Sequence, residues 1–552
     1  MKRKGLEIPY LLAVFPLIIL ISLLSVNVYL YGDEAISGSN QLSLILSGSI
    51  AGVIGLLYGS NWKEILNGIS NSIKSVTPAI IILLLIGALA GTWLLSGIIP
   101  AMIYYGLEIL SPKIFLFATC LICAIVSLST GSSWSTVATI GISLLAVGQA
   151  LDLSLGIIAG AIISGSYFGD KMSPLSDTTN LAPAMADTDL FTHIRYMMYT
   201  TIPSFVITLI IFLFIGFNYS NNISTNEISE ILLVISNKFS ITPWLFVVPV
   251  IVIYLIIKKI PAIPSLLVGT ILGGVFAIIF QPGIMQDLSN KENNLFSNYK
   301  IIINSMTLET NFKETNNKIN NIDMIEYRNT ANIKDSIIGS DTIPKCFSTN
   351  EWNELTIYDK NNWKNGNSIK IKYVNALNFQ SEEHPARKEA EKRGDLLKSK
   401  GMSGMMNTIW LVICAMIFGG CMESTGLLNR ISSPIIEYAK SNGSLVATTA
   451  GTCIFFNITV SDQYLSIIIP GKMFKERYKD IGIHQVNLSR TLEDSGTVTS
   501  VLVPWNTCGA YHQGVLGVST LTYLPYCFFN LISPLMTITY AYLGIKIKQL
   551  VR

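Results

Sequence analysis

TPAIIILLLIGALAGTWLLSGIIPAMI (77–103) is a long run of residues without a charged side chain. It exceeds the roughly 20 apolar residues that a helix needs to cross about 30 Å of hydrocarbon. A second run, IPYLLAVFPLIILISLLSVNVYLY (8–31), has the same character, and only 13% of the 552 residues are charged. Because only helices and closed barrels satisfy the backbone in lipid, these runs predict an all-α polytopic membrane protein. We expect about 11–13 transmembrane helices.

The first apolar run is expected to be a transmembrane helix. It is too long for the apolar core of a cleaved signal, and no A-x-A site follows. Basic residues at positions 2–4 favour a cytoplasmic N-terminus, and we expect both termini on the cytoplasmic side of a bacterial inner membrane. The net charge of +3 does not indicate nucleic-acid binding. Most of the eight cysteines lie in apolar runs, so we expect neither disulfides nor a transition-metal site.

Residues 283–400 interrupt the membrane pattern. They contain 33 of the 73 Asp, Glu, Lys and Arg residues, which predicts a soluble, extracytoplasmic insertion between membrane halves 1–282 and 401–552. Alternation at 368–379 indicates a strand, and 384–400 has a charged, helical character.

The two membrane halves contain matching segments in the same order. The first repeat spans about 75–217, and the second lies within 401–552. The matched pairs are 89–100 with 418–429, 126–137 with 456–467, and 165–183 with 489–506. Individual matches are Gly97 with Gly426, Ser127 with Asn457, and Asp170 with Asp494. Such symmetry is typical of secondary transporters with broken or re-entrant helices, and the repeats are inverted if each has an odd number of spans.

Carboxylates occur between the apolar runs of both halves. A charge at the bilayer centre costs about 2.5–3.5 kcal/mol on insertion scales, so such residues usually mark an ion or proton pathway. The candidate ion- and proton-binding residues are Asp170, Asp177, Asp462, Glu493 and Asp494. Asp170 and Asp494 form the principal pair in this interpretation. Glu493 and Asp494 are adjacent and cannot both ionise without a penalty, so one of them should carry a proton.

Neutral oxygens surround these acids. Hydroxyl, amide and carboxylate oxygens suit a hard cation such as Na⁺ and not a soft metal. The candidate supporting ligands are Ser132, Ser173, Thr178, Asn180, Asn457, Ser461, Thr497 and Asn506. The alternatives are polar connecting loops, helix-capping acids at 493–494, and a structural hydrogen bond for Asp462. Lys171 either neutralises a carboxylate or extends to the membrane interface.

GDKMSPLSDTTNLAP (169–183) and LSRTLEDSGTVTSVLVPWNTCG (488–509) resemble the NhaC family of sodium/proton antiporters. STGSSWSTVATIG (129–141) and SDQYLSIIIPGKMF (461–474) fit the same family. The resemblance covers both membrane halves and leaves out 283–400. It implies a two-repeat ion transporter that exchanges Na⁺ for H⁺. It also leaves open exchange of malate with lactate, or transport of amino acids.

We therefore expect a secondary antiporter, in which Na⁺ and H⁺ compete for the intramembrane carboxylates in alternating access. Its partners are the lipid bilayer and the two ions, and homodimerisation is left open. No Walker motif or catalytic triad indicates an enzyme or a cofactor. An organic-anion exchanger needs a fixed cation, for which Lys171, Arg490 and Arg195 are candidates. A third alternative is a membrane-anchored sensor whose insertion binds a ligand.

Overall fold

The computed structural model describes most of both membrane halves. The described residues are 7–31, 38–109, 112–219, 232, 235–236, 238–258, 260–289, 294–311, 398–432 and 441–550, with four strand segments between 324 and 372. Most of the insertion, including 373–379 and 384–397, therefore lies outside the described residues.

The N-terminal half is a succession of mostly apolar helices. The helices to the first break are α1 (Tyr10–Tyr31), α2 (Ser39–Leu57), α3 (Trp62–Ser75), α4 (Thr77–Leu95), α5 (Ile98–Ile109) and α6 (Pro112–Thr130). After it come α7 (Ser133–Thr136), a π-helical turn (Val137–Gly141), α8 (Ile142–Ala150), α9 (Leu155–Met172), α10 (Asp177–Met185) and α11 (Leu190–Tyr219). α12 (Val247–Ile257) and α13 (Ala262–Phe280) follow.

Between 282 and 399, the described residues form two helices and short strand pairs. The helices are α14 (Pro282–Leu288) and α15 (Leu295–Thr307). The strands are β1 (Thr310–Asn311), β2 (Met324–Arg328), β3 (Asp335–Ile338), β4 (Asp341–Pro344), β5 (Ser368–Lys372) and β6 (Lys398–Ser399). They form three antiparallel pairs, β1–β6, β2–β5 and β3–β4. Strand β5 occupies the first part of the predicted strand at 368–379.

The C-terminal half is again helical. Its elements are α16 (Met406–Ser424), α17 (Leu427–Ser432), α18 (Asn442–Thr459), α19 (Leu465–Asp480), α20 (Val486–Leu492), a π-helical turn (Glu493–Thr497), α21 (Thr507–Leu516), α22 (Thr520–Tyr523) and α23 (Phe528–Tyr542).

Seven helices within the described residues are long and apolar enough to cross a membrane. An eighth is obtained if the pair Thr520–Tyr526 and Phe528–Tyr542, bent by 56°, forms one span. The predicted polytopic, all-α membrane fold is confirmed. The expected total of 11–13 spans and the inverted repeats stay predictions.

The helices pack through apolar side chains and a few cross-helix hydrogen bonds. Trp93 of α4 is buried and donates from Nε1 to the Gly269 carbonyl of α13 at 3.2 Å. Ser127 of α6 donates to the Ser166 carbonyl of α9 at 2.6 Å. These bonds satisfy polar groups that lipid cannot, and they hold α4 against α13 and α6 against α9.

Helix α15 belongs to the predicted soluble insertion in sequence, yet it packs against the membrane helices. The Ser305 carbonyl contacts Gly91 of α4 so closely that a Cβ atom at position 91 would overlap it. On the opposite side Leu295, Phe296 and Tyr299 are exposed. An apolar exposed face next to membrane helices is typical of contact with lipid.

Two polar breaks have the same backbone signature. Gly131 separates α6 from α7 with φ +69°, and Ser461 separates α18 from α19 with φ +64°. The left-handed conformation suits glycine and is strained for serine. The two residues lie 330 positions apart, the same spacing as Ser127 and Asn457.

Candidate functional site

Asp170 lies in the last turn of α9, at the second break of the N-terminal half. The helix ends because Ser173 precedes Pro174, and a residue before proline is driven into extended backbone (φ −83°, ψ 129°). Asp170 is buried, and its Oδ2 accepts a hydrogen bond from Ser133 Oγ at 2.6 Å. The break thus places a carboxylate against the short helix α7, inside the protein.

The next helix, α10, carries the other predicted residues of this segment, some exposed and one buried. Asp177 and Asn180 are exposed. The Asn180 amide donates to the carbonyls of Pro174 and Ser176 at 3.0 and 2.7 Å, so it closes the turn. Thr178 is buried and faces the other half of the chain.

Glu493 and Asp494 occupy the π-helical turn that follows α20, and both are fully buried. Glu493 Oε1 accepts from Thr178 at 3.0 Å, whereas its Oε2 has no hydrogen-bond partner among the described residues. The two adjacent acids therefore have different environments, and only Glu493 has an unused carboxylate oxygen. The alternative that they are exposed helix-capping residues is wrong.

Asp494 forms a buried ion pair with Lys171. Lys171 Nζ also donates to Ser533 Oγ at 2.8 Å, and Thr200 donates to the second Asp494 oxygen at 2.8 Å. Both carboxylate oxygens of Asp494 are thus engaged. The expectation that Lys171 reaches the membrane interface is wrong, because its side chain is fully buried and faces a carboxylate of the other half.

The match between Asp170 and Asp494 stays a prediction, but the two acids lie at different distances from the extended residue that follows each of them. The breaks that begin at Ser173 and Val503 lie 330 residues apart, whereas the two acids lie 324 apart. Asp170 therefore lies three residues before its break and Asp494 nine residues before its own. The acids meet the same region from non-equivalent positions.

The second-half amides bridge the two broken segments. Asn457 Nδ2 donates to the Gly496 carbonyl and to Thr499 Oγ1 at 2.8 and 3.0 Å. Asn506 Nδ2 donates to Asn457 Oδ1 at 3.1 Å, and its own Oδ1 accepts from the Cys508 N–H at 3.0 Å. Asn457 and Asn506 are therefore largely used in holding the breaks together.

The remaining predicted ligands divide into capping groups and unpartnered hydroxyls. Asp462 is buried and accepts from the Leu465 N–H at 2.9 Å, the structural hydrogen bond considered as its alternative. Ser132 accepts from the Ser135 N–H at 3.2 Å. Ser173 accepts from the Leu175 N–H at 3.3 Å. Ser461 Oγ and Thr497 Oγ1 are buried without a partner, which leaves them available to a ligand.

The structure thus brings together Asp170, Thr178, Glu493 and Asp494, and it leaves Asp177 and Asn180 at the edge. Sequence reasoning missed Ser133 and Thr200, because a hydroxyl in an apolar run carries no signal of its partner. It also undervalued Lys171, although a lysine between two apolar runs pointed to a buried carboxylate partner.

The comparisons with known proteins agree on a family. The sequence profile of the "Na+/H+ antiporter family" matches residues 165–320 and 368–545. The Na⁺/H⁺ antiporter NhaC of Alkalihalophilus pseudofirmus is 34% identical over 507 residues, which are 92% of this chain and 91% of that protein. A malate-2H⁺/Na⁺-lactate antiporter of Bacillus subtilis is 32% identical over 91% of this chain and 89% of its own. An arginine/ornithine antiporter of Halobacterium salinarum is 30% identical over 97% and 92%.

Proposed function

This chain belongs to the Na⁺/H⁺ antiporter family, and from that premise we propose that it exchanges Na⁺ for H⁺ by competition at buried carboxylates. The observation that carries the proposal is the buried Glu493, whose Oε2 has no partner. A buried ionised carboxylate without a partner is costly, so this oxygen holds either a proton or a cation. Alternation between the two is the chemistry that an antiporter needs.

The ligands proposed for Na⁺ are the oxygens nearest that carboxylate in the hydrogen-bond network. Thr178 joins Glu493 to the Ser176 hydroxyl, which lies 3.2 Å from Thr178 Oγ1. Asp170, which lies just before the break in the same segment, contributes a second carboxylate. Hard oxygen donors of this kind suit Na⁺, by the logic that applies to Ca²⁺ and Mg²⁺.

We assign Asp494 a role other than the predicted one as a member of the principal pair. Its two oxygens are occupied by Lys171 and Thr200, so Na⁺ would have to displace a buried ammonium group. We therefore assign the principal pair to Asp170 and Glu493, with Asp494 as the counter-charge of Lys171.

Transport in proteoliposomes tests the assignment. An imposed Na⁺ gradient should drive proton flux, read by an entrapped pH dye, and Li⁺ and K⁺ gradients define the ion selectivity. Glu493→Gln, which keeps the shape but cannot ionise, should abolish the flux, and Asp170→Asn should reduce it at least about tenfold. Glu476→Gln makes the same change at an exposed position and should leave the flux intact. Unchanged exchange in the Glu493→Gln, Asp170→Asn double variant would refute this site.

Organic-substrate exchange is the second candidate. The names of two relatives contain malate and lactate, or arginine and ornithine. Exchange of an organic anion needs a fixed cation, and the candidates Lys171 and Arg490 are both fully buried. Uptake of radiolabelled malate, lactate and arginine by the same proteoliposomes separates the candidates. Uptake without Na⁺-driven proton flux would favour the second.

We propose a bacterial inner membrane as the location, with both termini cytoplasmic. Basic residues at 2–4 and at positions 546 and 548 support this orientation under the positive-inside rule. Cysteine labelling from one side of sealed everted vesicles, at introduced cysteines near each terminus, tests it.

A further inference from the structure

Arg490 lies on α20, one turn before Glu493, and it is fully buried. Its guanidinium lies 4.7 Å from the centre of the Tyr196 ring. An arginine side chain remains charged in a protein. Within the part of the chain that the structure describes, no carboxylate forms an ion pair with it. Unlike Lys171, this buried cation has no negative partner there.

The hydrogen bonds of Arg490 leave one edge of the guanidinium unused. Nη1 donates to the Lys546 carbonyl at 3.2 Å, whereas Nε and Nη2 have no partner. The Nε–H and one Nη2–H point in parallel from the same side of the planar group. This is the edge that binds the two oxygens of a carboxylate or phosphate as a bidentate pair.

We infer that the Nε–Nη2 edge of Arg490 is a binding site for a small oxyanion, a carboxylate or a phosphate group. Removing one charge from water without a partner is unfavourable. A buried guanidinium is stabilised when an anion completes its hydrogen bonds. The site goes beyond the proposed Na⁺/H⁺ exchange, because neither ion takes part in it, and it deepens the second candidate function by naming the edge of Arg490 that would hold an oxyanion.

The neighbouring residues fix the position of the guanidinium and add a polar group close to it. The Tyr196 ring holds the guanidinium plane through a cation–π contact. One turn earlier on α11, His193 is buried, its Nδ1 is 2.9 Å from Ser489 Oγ, and its Nε2 has no partner. The unpartnered Nε2 therefore belongs to an imidazole ring whose other nitrogen contacts Ser489, the chain neighbour of Arg490.

The last described residues contact the same guanidinium and its neighbours. We call Ile545–Leu550 the C-terminal strap. Besides the Lys546 carbonyl on Arg490, its Lys548 N–H donates to Tyr196 Oη at 3.0 Å, and its Lys548 carbonyl accepts from Asn487 Nδ2 at 2.8 Å. The Leu550 N–H donates to the Gly482 carbonyl at 2.8 Å. These bonds fix the strap beside Nη1 and leave the Nε–Nη2 edge without a partner among the described residues.

Thermal unfolding of the purified full-length protein tests the site. Sodium succinate, sodium phosphate and short-chain phosphatidylglycerol are titrated against sodium chloride at equal Na⁺ concentration and ionic strength. We expect saturable stabilisation of the wild-type protein. Stabilisation by succinate or phosphate identifies a free anion as the source, and stabilisation by phosphatidylglycerol alone identifies a lipid headgroup.

The variants decide whether Arg490 is responsible. Arg490→Lys keeps the buried charge and loses the planar fork, and it should raise the half-saturating concentration at least about tenfold. Arg490→Gln should abolish the effect, whereas Lys475→Gln, which removes a partly exposed cation that pairs with Asp187, should leave it unchanged. Absence of saturable stabilisation of the wild-type protein by all three probes overturns the inference, as does an unaltered half-saturating concentration in Arg490→Lys. Loss of Na⁺/H⁺ exchange has no bearing on these binding curves.

Discussion

Asp494→Asn replaces the negative partner of Lys171 by a neutral group of the same shape. Both side chains of the pair are fully buried, so the change leaves an ammonium group without a counter-charge inside the protein. Ser533 remains as its hydrogen-bond partner. Removing one member of a buried ion pair costs about 3–5 kcal/mol of unfolding free energy. We expect Asp494→Asn and Lys171→Met each to lose stability in this range.

The double variant Lys171→Met, Asp494→Asn should be more stable than either single variant, because no uncompensated charge remains. The interaction energy from this double-mutant cycle should then be at least about 3–5 kcal/mol. Unfolding by sodium dodecyl sulfate in mixed micelles, followed by circular dichroism, measures all four free energies. Lys475→Met is the control, because Lys475 pairs with Asp187 at a partly exposed site, and it should have a much smaller effect. Additive single-variant losses would show that the pair does not act as a buried ion pair.

Two further predictions concern the breaks and the C-terminal strap. Gly131→Ala should lower the unfolding free energy by about 1–2 kcal/mol from the backbone conformation alone, because position 131 has φ +69°. The new Cβ would also lie 2.6 Å from the Leu175 Cβ. Ser461→Gly, measured in the same micelle assay, should not destabilise the protein, and equal losses in both variants would contradict the argument. Burial, with a smaller contribution from Lys548, holds the pKa of His484 below its usual value of 6.5, so its neutral form stabilises the fold above that pH and the stabilisation is lost on acidification. Hydrogen exchange of Ile545–Leu550 should therefore accelerate as the pH falls below about 6, after correction for the intrinsic exchange rate, and a His484→Gln variant with the same pH dependence would refute this role.

The length of the apolar runs predicts most of the fold, because the spans at 77–103 and 8–31 depend on local composition alone. The breaks were also predictable, since Pro174 and Gly131 act on their own backbone. Pairing of charges was not predictable in the same way. Lys171 meets Asp494 across 323 residues of sequence, and nothing local distinguishes Asp494 from its neighbour Glu493.

The supporting ligands show the same limit. The side-chain amides of Asn457 and Asn506 have the right chemistry to bind a cation, but each forms hydrogen bonds that hold a broken segment in place. A hydroxyl or amide in a polar break has two uses, capping the backbone or binding a ligand, and only the three-dimensional neighbours distinguish them. The repeat stays a prediction that the matching left-handed residues at 131 and 461 support.

The contact between Gly91 and the Ser305 carbonyl has a practical consequence for anyone who wants to shorten this chain. A deletion of the whole charged region 283–400 would strip α15 from α4 and expose a groove at backbone level in the membrane half. A shorter excision that spares α15 and strands β1 and β6, whose ends pair at Thr310 and Ser399, would leave that groove filled. Of the two truncated proteins, only the second gives a fair comparison when asking whether transport needs the insertion.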